Sequence, residues 1–148
     1  MKVFRRILLA TDFSPASAGA ALRALKLARA SRARLWIVHV LEPVAQAHGV
    51  RWAYREMEAE LRAGAHKSLR RLQERARKAG VRASSILVTG APQKGIVRAA
   101  RAQRADLVVV GTHGRTGVAG VFVGSVAARV IATAPCPVLA VRSRGSRR

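Results

Sequence analysis

Asp106-Leu107-Val108-Val109-Val110-Gly111-Thr112-His113-Gly114-Arg115-Thr116-Gly117-Val118-Ala119-Gly120-Val121-Phe122-Val123-Gly124-Ser125-Val126-Ala127-Ala128-Arg129 carries three signals in a row. Leu107 to Val110 is a continuous apolar run, the pattern of a strand buried on both faces. Glycines at 111, 114, 117, 120 and 124 then define a loop. Ser125 stands where a helix N-cap is expected, ahead of a helical apolar pattern at Val126, Val130 and Ile131. Strand, glycine-rich loop and helix start, in that order, suit an anion. Glycines let backbone N–H groups approach a phosphate without a Cβ in the way. The helix start adds unpaired N–H groups and a partial positive charge.

Neither common nucleotide fingerprint is present. The loop spacing is G-x-x-G-x-x-G and not G-x-G-x-x-G. Gly90 to Gly95 has the glycine gap of a P-loop but continues with Ile96 where that motif needs Lys and then Ser or Thr.

Outward from this stretch, strands and helices alternate. Val3 to Ala10 reads as a first strand with Ile7 to Ala10 buried. Ser14 is a good N-cap and Pro15 a good first helical residue. The helix they open shows Ala18, Ala21, Leu22, Leu25 and Ala28 on one face. Leu35 to Leu41 is a second buried strand. After a connection at 42–50, a long helix is expected from about Trp52 to Ala79. Its core face carries Met57, Leu61, Ala65, Leu69, Leu72 and Ala76, and Gly80 terminates it. Val81 to Val88 is a third, more polar strand near an edge. Pro92 to Gln103 is a helix burying Ile96, Val97 and Ala100. The last helix runs from Val126 to about Thr133, Pro135 stops it, and Pro137 to Val141 is a final strand. Such alternation predicts one α/β domain with a parallel sheet and helices on both faces. The domain is expected over 1–142, with 143–148 a disordered basic tail.

Composition bounds the function. Half of the 148 residues are hydrophobic, so the chain can bury a core. No segment has the length of a membrane span, and the N-terminus does not read as a signal peptide. One cysteine excludes an internal disulfide and suits the cytoplasm. His39, His48, His66 and His113 lack metal-ligand spacing. His39 reads as a satisfied core residue, and His113 as structural or solvent-facing sooner than as a general base. Cys136, between two prolines, reads as packed and not reactive. Gly124-Ser125-Val126 is not a nucleophile elbow. The net charge of +21, from 28 Lys and Arg against 7 Asp and Glu, leaves a second reading open. In it the chain is a basic nucleic-acid or polyanion-binding protein on the same fold. Arginine spread over solvated helix faces is the plainer account of that charge.

The loop also resembles the universal stress protein family. That family's signature is Gly, two residues, Gly, nine residues, Gly and then Ser or Thr. Gly111, Gly114, Gly124 and Ser125 match it without a gap. The segment Val108 to Arg142, the Thr11-Asp12-Phe13-Ser14 turn and Val38-His39-Val40 are similar to the family as well. The resemblance implies an open Rossmann-like sheet of five parallel strands in the order 3-2-1-4-5, with a ligand crevice where the chain runs opposite ways from strands one and four. It implies the subgroup that binds ATP, with Mg2+ or Mn2+ carried by the phosphates and slow or no hydrolysis.

By that resemblance Ala10 and Thr11 shape the base pocket, and the backbone of Val40 reads adenine. Asp12, which by its position alone would read as a turn or capping acid, accepts by the resemblance from ribose hydroxyls or the adenine edge. Gly111 and Gly114 admit ribose and the α-phosphate, and Gly124, Ser125 and Val126 offer N–H groups to the β- and γ-phosphates. Arg115 either adds charge to the phosphates or is a solvated loop residue. The family also implies a homodimer through the last strand, Pro137 to Val141, whose apolar edge invites pairing.

Overall fold

The computed structural model describes residues 3–43, 51–113 and 123–143, with residues 51 and 52 described in backbone only. Five strands alternate with four helices: β1 (Arg6–Ala10), α1 (Pro15–Ser31), β2 (Arg34–Leu41), α2 (Arg51–Lys78), β3 (Ala83–Thr89), α3 (Pro92–Ala102), β4 (Leu107–Gly111), α4 (Ser125–Thr133) and β5 (Val138–Val141). All neighbouring strands are parallel, in the order β3-β2-β1-β4-β5. This is the expected order, and β3 and β5 are the edges.

Strand alternation divides the interior into two layers. Ile7 and Leu9 of β1, Leu35 and Ile37 of β2, and Leu107 and Val109 of β4 pack with alanines of α1 and with Leu69 and Ala76 of α2. Leu8 and Ala10, Val38, Val108 and Val110 face the other way, against Ile96, Ala99 and Ala100 of α3 and Ala127 and Val130 of α4. The apolar runs are continuous because a central strand of a parallel sheet is covered on both faces.

Helix starts follow the chemistry of their caps. Ser14 accepts the Ser17 N–H at 3.2 Å through its hydroxyl, and Pro15 opens α1. Gly80, at φ +82°, ends the turn after α2. The equivalent left-handed positions after α1 and α3 are held by Arg32 (φ 53°) and Arg104 (φ 51°). A non-glycine residue in that region costs about 1 kcal/mol or more.

Several expectations are corrected. The buried stripe of α1 is Ser17, Ala20, Ala21, Ala24 and Ala28, whereas Ala18 and Leu22 are exposed. Alanines set that phase because they let the helix backbone settle close to the sheet. Met57 and Leu61 in the first half of α2 are also exposed, and the buried face begins at Ala65. Ile131 of α4 lies exposed while Val130 is fully buried. β1 starts at Arg6 and not Val3, and β3 is shifted to Ala83–Thr89. The N-cap of α4 is Gly124 and not Ser125, which is the first helical residue. The calls on Gly114, Arg115 and the tail beyond Ser143 lie outside the described residues.

Candidate functional site: a cleft at the sheet's switch point

β1 and β4 are neighbours, and the chain leaves them toward opposite faces, from β1 to α1 and from β4 to α4. Beyond their carboxyl ends lies a cleft of about 420 Å3, within the usual range of small-ligand sites. Ala10, Thr11, Asp12, Val40, Gly111, Gly124, Ser125 and Val126 all line it. Every described residue named from the sequence as a site candidate is therefore brought to one cavity.

The turn after β1 is tied down from several sides. The Thr11 N–H donates to the Val38 carbonyl at 3.0 Å, which prolongs the ladder by one residue. The Thr11 hydroxyl accepts the Phe13 N–H at 3.1 Å, and Asp12 Oδ1 accepts the Ser14 N–H at 3.0 Å. One Asp12 oxygen thus holds the turn, as an acid does in that position. Phe13 takes φ 61°, a left-handed geometry rare for a bulky residue. Its ring lies 4.7 Å, centroid to centroid, from that of His39. Nδ1 of the buried His39 donates to the Thr11 carbonyl at 2.8 Å, so this histidine is a satisfied core residue, as its sequence context suggested.

Val40 acquires its place from sheet geometry. Along β2 the even-numbered residues turn their backbone groups toward β1, as the Arg34 N–H to Arg5 carbonyl and Thr11 N–H to Val38 carbonyl bonds show. The register of β1 against β2 stops at Ala10 opposite Val38. The N–H and C=O of Val40, two residues further, therefore point past the end of β1 at the cleft. Gly95 of α3 fits over this spot, since a Cβ on it would sit 2.7 Å from a Val40 methyl.

On the far wall, the Gly124 N–H donates to the Thr112 carbonyl at 2.6 Å. A Cβ at Gly124 would come within 2.8 Å of that oxygen, so glycine is required there by the protein itself. At Gly111 a Cβ would meet only ordinary contacts, at 3.5 Å and beyond. α4 has neither a side-chain cap nor an acid in its first turn, and its N-terminal residues Ser125, Val126 and Ala127 line the cleft. That end of the helix carries about half a positive charge.

His113, read from the sequence as structural or solvent-facing, was not foreseen as a residue of the cleft. It is half-buried in the cleft wall, with Nδ1 2.9 Å from the Thr112 hydroxyl. Its Nε2 is buried and has no hydrogen-bond partner among the described residues. A loop histidine leaves no pattern in the sequence from which this could be read. Pro92 and Ile96 supply apolar lining and were equally invisible as site residues. Among the described residues no group of His, Cys, Asp or Glu could hold a metal ion. Cys136 is partly buried; that burial, with the Asp106 charge nearby, pushes its thiol pKa up, so it is a poor nucleophile.

A five-stranded doubly covered sheet with a crevice over its switch point defines an α/β protein of the nucleotide-binding type. The family model for the universal stress protein family matches residues 4–142. A universal stress protein of Thermus aquaticus is 38% identical over 149 residues, covering 95% of this chain and all of that protein. The solved structure of universal stress protein UspA from Lactobacillus plantarum superposes with a TM-score of 0.85 at 25% identity, covering 93% of this chain and 97% of that one. A universal stress protein solved in complex with cAMP is 33% identical, with a TM-score of 0.73 and 95% and 99% of the two chains covered. The chain belongs to the universal stress protein family. Among the described residues no helix is long and apolar enough to cross a membrane.

Proposed function

We propose that the protein binds ATP in the cleft at the switch point, hydrolyses it slowly or not at all, and acts in stress response through the bound nucleotide. The observation that carries this reading is the convergence of Asp12, the outward-facing backbone of Val40 and the uncapped start of α4 on one cavity. Adenine lies against Ala10 and Thr11 and pairs with the Val40 backbone. Asp12 meets the ribose, and Gly111 and Gly114 admit the sugar and α-phosphate. Gly124, Ser125 and Val126 receive the β- and γ-phosphates, with Arg115 adding charge. The orphaned Nε2 of His113 is a polar atom that a bound nucleotide would satisfy. Mg2+ or Mn2+ travels on the phosphates and water. The family member solved with cAMP supports an adenine ligand. Slow turnover is supported by the loop, which has no Walker lysine. In this reading the active unit is a homodimer paired along β5.

Ser125→Asp separates folding from binding. An acid at the first position of α4 favours the helix by about 0.3–1 kcal/mol. The same carboxylate repels a phosphate. Isothermal titration is expected to show one Mg-ATP per chain, about tenfold or more weaker in Ser125→Asp, with an undiminished melting temperature. Equal ATP binding by the variant, lost in both proteins as salt rises, would mean that ATP is held merely as a polyanion on a basic surface.

A further inference from the structure

At the opposite end of the sheet, under the amino ends of the strands, lies an open groove of about 840 Å3. Arg5, Arg6, Arg32, Arg34, Arg82 and Arg104 line it, all exposed, and no acidic residue does. None of these six side chains forms an ion pair among the described residues, where the one salt bridge is Arg62 with Glu58. The carboxylate of Asp106 is engaged by the backbone N–H groups of Arg5 and Arg6 at 2.8 and 3.0 Å.

The concentration of charge is built by the sheet. Arg6 and Arg34 are register partners on adjacent strands. The Arg34 N–H donates to the Arg5 carbonyl, and the Leu35 N–H to the Arg82 carbonyl, both at 2.9 Å, so arginines open β1 and β2 and immediately precede β3. Like charges placed opposite one another weaken a sheet. Arg32 and Arg104 stand at the two left-handed turn positions where glycine would be relaxed. Helix dipoles do not account for this. The carboxyl ends of α1, α2 and α3 reach this side with about half an elementary charge each, far short of six guanidiniums.

One pair says what kind of polyanion fits. The Arg34 guanidinium lies 4.7 Å from the centroid of the Trp36 ring, and its Nη2 donates to the Ser84 hydroxyl at 3.1 Å. A guanidinium held over an indole and tied by a hydrogen bond makes a cationic platform on which a further planar group can stack. Unpaired bases stack on such platforms while basic side chains follow the phosphates. We propose that this groove binds single-stranded nucleic acid, with phosphates on the arginines and a base stacked on the Arg34–Trp36 pair. The site is remote from the switch-point cleft and does not depend on the ATP reading.

The test is fluorescence anisotropy of a labelled oligouridylate with the full chain at several salt concentrations. The double variant Arg32→Gly, Arg104→Gly relaxes both turns, so its melting temperature is expected to hold or rise. Its affinity should fall about tenfold and its log–log salt slope by about 1.4, from about 0.7 per lost single-strand phosphate contact. Trp36→Leu should weaken binding about tenfold, through lost stacking, with little change in slope. Two results would overturn the proposal. One is unaltered binding in both variants, including the case where Arg144→Ser, Arg147→Ser and Arg148→Ser together abolish it. The other is inorganic polyphosphate of matched charge competing as well as the oligonucleotide while Trp36→Leu has no effect.

Discussion

At the residue scale, glycines of the same loop have different reasons to be glycine. Gly124 is constrained by the fold: its N–H binds the Thr112 carbonyl at 2.6 Å, and the space for a Cβ is taken by that oxygen. Gly111 tolerates a methyl group as far as the protein is concerned. Gly124→Ala is therefore expected to destabilise the chain by about 1–3 kcal/mol through overpacking against a backbone atom. A urea titration without ligand checks this, and an unchanged midpoint would show that the carbonyl shifts freely. A bulky residue at Gly124 is for the same reason a poor probe of phosphate binding, since it disturbs the loop first. Ser125 is the better probe because it is exposed.

At the scale of elements, each edge of the sheet has its own character. β3 is covered by α2 and carries the polar residues Ser84, Ser85 and Thr89, whereas β5 is a short apolar strand of four residues, Val138–Val141. Leu139, in its middle, is 37% exposed, and Ile131 on the adjacent helix is 48% exposed. An apolar edge of this kind pairs with another chain unless charge blunts it. If two copies join along β5, Leu139→Lys should convert a dimer to a monomer in light scattering, with the unfolding midpoint of the monomer little changed. A monomeric parent chain would remove the dimer from the proposal.

For the whole molecule, the charge of +21 acts on stability as well as on partners. Self-repulsion among exposed arginines opposes compaction and is screened by salt. The Debye length shrinks from about 30 Å at 0.01 M salt to about 8 Å at 0.15 M. Stability is accordingly expected to rise with sodium chloride over that range, by on the order of 1 kcal/mol or more, read as a higher urea midpoint at constant slope. A falling midpoint would mean that attractive pairs outweigh repulsion. The two proposed ligands are both anionic and bind at opposite ends of the strands. Each should raise the melting temperature, and the two effects should add if the sites are independent.

Alternation of apolar runs with helical periodicity determined the class of fold, and caps such as Ser14-Pro15 and Gly80 determined where elements begin and end. These are local properties, governed by backbone hydrogen bonding and by the spacing of side chains along one element. The glycine loop ahead of a helix start suggested an anion site from the residues alone, and the family resemblance, through its strand order, set Asp12 in the same crevice. The phase of α1, whose stripe runs through Ala20 and Ala24 in place of Ala18 and Leu22, depended on how closely a helix of alanines can lie on the sheet. The burial of His113 Nε2, the backbone of Val40 turned toward the cleft, and the gathering of six arginines under the strands were decided only in three dimensions. Each depends on which strands lie side by side and where one ends before its neighbour, and a parallel sheet brings together residues from segments far apart in the chain.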